Sequence, residues 1–213
     1  MSNIELVAAI CGFIAVALTI SRSMWCWPIG LIQVILYVKV FYEAKLYSDA
    51  ILHIIYIGLQ FYGWYQWYRA SRKGAESASE VRVERLHWGQ MSLALAICAA
   101  LTLLIGLLMA TFTDADWPFA DAFIAGTSLV AQYLLAKRQL QNWYLWIVVD
   151  LVAVYVFSAK SLYPTAILYG LFLIMAVTGA IIWYQRLEKQ LGADSMTRQN
   201  GDTQDEQLSS DHR

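Results

Sequence analysis

Seven long apolar runs constrain this chain more than any other feature. They lie at about 4–20, 25–42, 48–68, 89–112, 118–136, 142–158 and 162–185. A helix needs roughly 17–25 predominantly apolar residues to cross a bilayer. Every run meets that length, the first and sixth narrowly. Lipid-facing backbone must satisfy its own hydrogen bonds, and the runs are far longer than the roughly 9–11 residues of a barrel strand, so they read as helices. Composition agrees. The 213 residues are 59% hydrophobic and 15% charged, against about 45–50% and 25% in soluble domains. The expected fold class is therefore an all-α membrane protein with seven transmembrane helices. The first run lacks the basic flank of a signal peptide, since Glu5 is its only charge before Arg22, and reads as a membrane helix that stays.

Short connections at 43–47 and 158–161 make the flanking helices antiparallel neighbours. One linker, 69–87, is long and charged, and its pattern leaves two forms open: an interfacial helix or a solvated loop. From 188 to 213 the chain is polar, too poor in apolar residues to fold alone, and is expected to be a disordered cytoplasmic tail. With seven spans, one side holds Arg22, the linker, Lys137, Arg138 and the tail, which carry twelve of the fifteen Lys and Arg residues. Positive charge marks the cytoplasm, which puts the N-terminus outside and the C-terminus inside. Cys11, Cys26 and Cys98 match neither zinc nor redox spacing and read as packing residues.

A shift of 116 residues aligns 5–68 with 121–184 without gaps and yields sixteen identities. Apolar matches come cheaply in membrane helices. Arg22/Arg138, Trp27/Trp143, Gly63/Gly179, Trp67/Trp183 and the Leu46-Tyr47/Leu162-Tyr163 turn count for more. The chain thus divides into a first three-helix repeat at 4–68, the linker at 69–87, a connecting helix at 88–117 and a second three-helix repeat at 118–187. A single connecting helix makes both units enter the membrane from the same side. The result is a 3+1+3 parallel duplication, an arrangement found in transporters with cargo near the midplane.

No catalytic triad, paired metal ligands, Walker loop or dinucleotide fingerprint occurs. The chain reads as no enzyme, with no cofactor, no metal and no nucleic acid among its partners. What stands out is polar and aromatic. Asn142, Trp146 and Asp150 fall at i, i+4 and i+8 with Trp143 beside them, on one broad helical face. Asp150 lies about 12 Å past the start of its helix at 1.5 Å per residue. An acid at that depth costs roughly 2.5–3.5 kcal/mol on insertion scales, so it should face the bundle interior. Indole faces beside a carboxylate suit a flat cationic ligand. Interfacial anchoring is the competing reading of Trp143, and a helix–helix hydrogen bond that of Asp150. Across from this face, Trp27 and Gln33 lie on the second helix. His53, Tyr56 and Gln60 form a stripe on the third, and Tyr169 continues the pattern on the seventh.

These residues resemble the PnuC family of vitamin-precursor transporters. The matching pieces are Trp27-Pro28-Ile29-Gly30-Leu31-Ile32, Leu46-Tyr47 with Tyr62-Gly63-Trp64-Tyr65-Gln66-Trp67, and Asn142-Trp143-Tyr144-Leu145-Trp146. The likeness covers about 5–186. It implies a SWEET-like fold, a homotrimer in the bacterial inner membrane, and uptake by facilitated diffusion with a cytoplasmic kinase trapping the product. Nicotinamide riboside is the implied cargo, a small cationic aromatic solute, with thiamine or a deoxynucleoside as alternatives; a non-transporting receptor or scaffold is the reading from another class. By the family pattern Asn142, Trp143 and Trp146 contact the cargo. The sequence departs from nicotinamide riboside carriers at Asp150, where they tend to have Asn, and at His53, where they tend to have Gln.

Overall fold

The computed structural model describes residues 3–43, 47–73 and 82–211. Among these residues the chain forms seven α-helices: α1 (Asn3–Ile20), α2 (Cys26–Glu43), α3 (Tyr47–Lys73), α4 (Trp88–Phe112), α5 (Pro118–Ala136), α6 (Asn142–Ala159) and α7 (Tyr163–Asp211). Helices α1, α2, α3, α5, α6 and α7 pack each against the next, and α7 returns to α1. The six make a closed ring in chain order. Helix α4 stands outside it, packed on α5.

Local chemistry sets the helix ends. Helix α5 starts on Pro118, whose fixed φ suits a first helical turn and whose missing N–H costs nothing there. Helix α1 closes with the Ser23 N–H donating to the Leu18 carbonyl at 2.9 Å, around Arg22 at φ 58°. Helix α5 closes the same way, with Gln139 donating to Leu134 at 3.0 Å around Arg138 at φ 60°. A left-handed residue here satisfies the orphan carbonyls of the last turn. Holding an arginine rather than a glycine in that region costs about 1–2 kcal/mol, so the surroundings must impose it twice.

Six helices among the described residues are long and apolar enough to cross a membrane: α1, α2, α4, α5, α6 and the Tyr163–Met196 part of α7. Helix α3 has the length, at 27 residues, but not the hydropathy. It carries Asp49, His53, Gln60 and Gln66 and packs between α2 and α5. A helix flanked on two sides by protein can hold a polar face that a lipid-facing helix cannot.

Two segments differ from the sequence-based expectation. The chain beyond 188 was expected to be disordered, yet α7 continues to Asp211. No proline follows Pro164, and lengthening an existing helix needs no new nucleus. Within the charged linker, 69–73 belongs to α3, 74–81 lies outside the described residues, and 82–87 is neither helix nor free loop. Glu84 forms a backbone bridge to the α5–α6 turn: its N–H donates to Arg138 at 3.0 Å and its carbonyl accepts from Leu140 at 2.9 Å. The Glu84 carboxylate pairs with the Arg138 guanidinium, the Leu86 N–H donates to Gln141 Oε1 at 3.1 Å, and Arg82 pairs with Asp194 of α7. Val83 is thereby pressed into the core.

Candidate substrate path

One end of the ring is closed by four indoles. Trp27 of α2 and Trp67 of α3 meet edge to face, with centroids 5.4 Å apart at 81°. Trp143 of α6 and Trp183 of α7 do the same at 5.6 Å and 84°. Trp67 and Trp183 meet at 6.2 Å, joining the pairs. Each outer indole fills a notch left by a glycine: a Cβ on Gly63 would lie 2.0 Å from the Trp27 ring, and one on Gly179 2.6 Å from that of Trp143. The inner indoles reach across the ring. The Trp67 Nε1–H donates to the Leu135 carbonyl on α5 at 3.2 Å. The Trp183 Nε1–H donates to the Thr19 and Ile20 carbonyls on α1 at 3.3 Å. Trp67 and Trp183, and likewise Thr19 and Leu135, stand 116 residues apart. Val83 and Leu187 complete the cluster.

Trp27 and Trp143, read from the sequence as ligand-facing, lie inside this cluster at 1% and 3% exposure. Asn142 is fully buried beside them, its Nδ2 donating to the Gln139 carbonyl at 2.6 Å. Among the described residues the Asn142 Oδ1 and the Nε1 atoms of Trp27 and Trp143 have no hydrogen-bond partner. Such buried orphans are uncommon in folded proteins.

A second polar level lies two turns further along α6. Asp150 is 4% exposed, and no group among the described residues hydrogen-bonds its carboxylate. Removing an unpaired carboxylate from water costs several kcal/mol, a cost a passing cation would offset. Tyr169 of α7 lies within electrostatic reach of Asp150, of Tyr37 on α2 and of Asp49 on α3, and Tyr56 on α3 is within reach of Tyr169 and beside Ser128 of α5. Ring contacts at this level tie α6 to α7 through Phe157 and Tyr169 at 5.3 Å, and α2 to α3 through Tyr37 and His53 at 5.5 Å. Gln33 is one turn before Tyr37, and Gln60 one turn after Tyr56; their amides rest on Gly12 and Gly30. His53 is held aside in a ring cluster with Phe41 at 4.9 Å, Tyr37 at 5.5 Å and Tyr56 at 5.8 Å, its Nδ1–H donating to the Asp49 carbonyl at 2.8 Å. Trp146 is partly buried between the two levels.

Of the residues singled out from the sequence, Asp150, Tyr56 and Tyr169 lie away from the indole cluster, while Trp27 and Trp143 belong to the packed end. Sequence periodicity missed Tyr37, Gly12 and Ser128. The i+4 spacing of Tyr37 from Gln33 was a usable signal; Gly12 and Ser128 had none, because their part depends on which helix lies opposite.

A ring of membrane-length helices around a polar, aromatic interior defines an integral membrane protein built to pass or hold a small solute. The chain belongs to the nicotinamide mononucleotide transporter family, whose profile matches residues 2–185, and PnuC proteins are among its relatives. It is 29% identical to the riboflavin/roseoflavin transporter RibM of Streptomyces davaonensis, over 85% of this chain and 84% of that one. It is 25% identical to the nicotinamide riboside transporter PnuC of Escherichia coli, over 86% and 85%. A crystal structure of the vitamin B3 transporter PnuC superposes with a TM-score of 0.71 at 27% identity, covering 87% of this chain and 82% of that one. Family and fold point to transport rather than catalysis.

Proposed function

We propose that this chain takes up nicotinamide riboside by facilitated diffusion across the bacterial inner membrane. The observation that carries this reading is Asp150: a buried carboxylate with no hydrogen-bond partner among the described residues, on the same helix as Trp146, in a family of vitamin-precursor transporters. A pyridinium ring would stack on an indole and offset the buried charge. Helices α1–α3 and α5–α7 act as two parallel units joined by α4, with α3 as a seventh span, and alternating access arises from rocking of one unit against the other. The recurrence of both helix-end turns and both tryptophan pairs at a spacing of 116 residues supports that duplication. The distribution of Lys and Arg supports an outer N-terminus and a cytoplasmic C-terminus, with the tryptophan cluster at the inner end. The assembly proposed is a homotrimer, which the mass of the purified complex in detergent checks.

A flat neutral vitamin of the riboflavin kind is the second reading, favoured by the likeness to RibM; thiamine and deoxynucleosides stand behind it. Counterflow of labelled nicotinamide riboside, riboflavin, thiamine and deoxynucleosides in proteoliposomes separates them. A receptor gives no counterflow with any solute. Asp150→Asn is expected to weaken the cationic cargoes roughly tenfold or more, the scale of a desolvated charge pair, and to spare the neutral ones. Equal losses on both would remove the charge-pairing role.

A further inference from the structure

The chain ahead of α4 enters the tryptophan end through one apolar side chain. Val83 is 5% exposed and belongs to the same buried cluster as Trp27, Trp67, Trp143 and Trp183. On either side of it the chain is held by polar groups. Glu84 makes both backbone hydrogen bonds of its bridge to the α5–α6 turn. Its carboxylate pairs with the Arg138 guanidinium and accepts from Gln139 Nε2 at 3.1 Å. Arg82 pairs with Asp194 on α7. Arg138 carries the hold across the ring: its Nη1 donates to the Gln66 carbonyl of α3 at 3.5 Å. The next residue, Trp67, donates its Nε1–H to Leu135 of α5. The strap therefore reinforces the seam at which α3 meets α5. The other seam, between α7 and α1, is built differently. The position 116 residues after Glu84 is Asn200, and there the chain continues as helix α7 instead of turning back.

These holds are several in number and weak in kind. The side chains of Arg82 and Asp194 are 64% and 50% exposed, and that of Glu84 is 45% exposed. Ion pairs open to water contribute little each. Backbone hydrogen bonds at an aqueous end exchange for bonds to water at small net cost. The main apolar anchor is a single valine. Such an attachment can release and reseat within the range of a conformational equilibrium. We infer that residues 82–84 form an inner latch: with Val83 seated the tryptophan end is closed, and each opening of that end draws Val83 out. Glu84 is the positioning residue, holding Arg138 against α3. This rests on the rocking transport proposed above.

Two natural thiols read the latch without any cargo. Cys26 is buried inside the tryptophan cluster, and Cys98 is buried among residues of α4, α5 and α6. In purified protein treated with N-ethylmaleimide, Glu84→Gln is expected to speed labelling of Cys26 about tenfold, the scale of one charged hydrogen bond withdrawn from the closed state. Cys98 should keep its wild-type rate. Equal acceleration of both thiols would mean general loosening and would overturn the latch, as would an unchanged rate at Cys26. The converse variant holds the latch shut. Glu84→Cys/Gln139→Cys places two thiols on the bridge partners, and the mass of the intact protein reports the disulfide between them. In proteoliposomes the oxidised variant is expected to lose counterflow of nicotinamide riboside, riboflavin, thiamine and deoxynucleosides, and reductant to restore it. Equal rates before and after reduction, beside a wild type that transports, overturn the latch and leave transport standing. A wild type without counterflow of any of these solutes removes the transport reading and the latch with it.

Discussion

The tryptophan end and the Asp150 level of the same ring obey different rules. At the first, what one unit does the other repeats: an arginine in a left-handed turn, an indole in a glycine notch, an indole N–H given to the facing unit's helix end. At the second, nearly every matched position differs in size, polarity or charge. Dense packing tolerates few alternatives, because interiors fill to crystal-like density and a methylene too many is felt. The proposed duplication would therefore keep the same solution where the two sets of helices touch. On the function proposed, a solute without that symmetry would be best held by unlike walls.

The largest expected effect breaks the likeness at the packed end. Trp67→Ala and Trp183→Ala should each cost about 3–5 kcal/mol, the usual loss on truncating a buried aromatic, read as thermal unfolding in detergent. Nearly equal losses support equivalent roles. A severe loss at one position and none at the other would refute them. Next comes the glycine notch. Gly63→Ala should cost about 1–3 kcal/mol as overpacking, with Gly179→Ala milder since its clash is shorter by 0.6 Å in depth, 2.6 Å against 2.0 Å. Gly58→Ala, with nothing within 4 Å of its added methyl, should be neutral or slightly stabilising. A Gly63→Ala protein as stable as Gly58→Ala would show that the Trp27 ring is not wedged there.

The smallest effect concerns a site present in only one unit. Lys137 lies over the rings of Tyr62 and Tyr133 at 5.6 and 5.9 Å, and its pKa is raised above 10.5, chiefly by its hydrogen bond with the Tyr62 hydroxyl. A raised folded-state value means that the stabilisation is fully present below the unfolded pKa and is lost as pH rises through the folded one. Wild type should therefore lose a small increment of stability above about pH 10.5 that Lys137→Met lacks throughout. Parallel pH profiles for the two proteins would dismiss the contact.

Much of this molecule was legible before any coordinates. Run lengths marked the helices. The i, i+4, i+8 spacing of Asn142, Trp146 and Asp150 identified the face of α6 that turns inward, and the burial of Asn142 and Asp150 agrees with it. The tail and the linker were harder. Composition measures whether a segment can fold alone, and neither does: α7 carries one onward, and the α5–α6 turn pins the other through Glu84.

The sequence by itself determined the helices, their inward faces and the relation between positions 116 apart, because hydropathy and the helical period act along the chain. Only the tertiary structure decided what each face meets. That Trp143 lies against Gly179 rather than open space, that Gln60 rests on Gly30, and that Val83 seals the indole cluster are contacts between helices. A helical repeat says which residues share a side, but only the packing of one helix on another says what stands opposite and how much room is left.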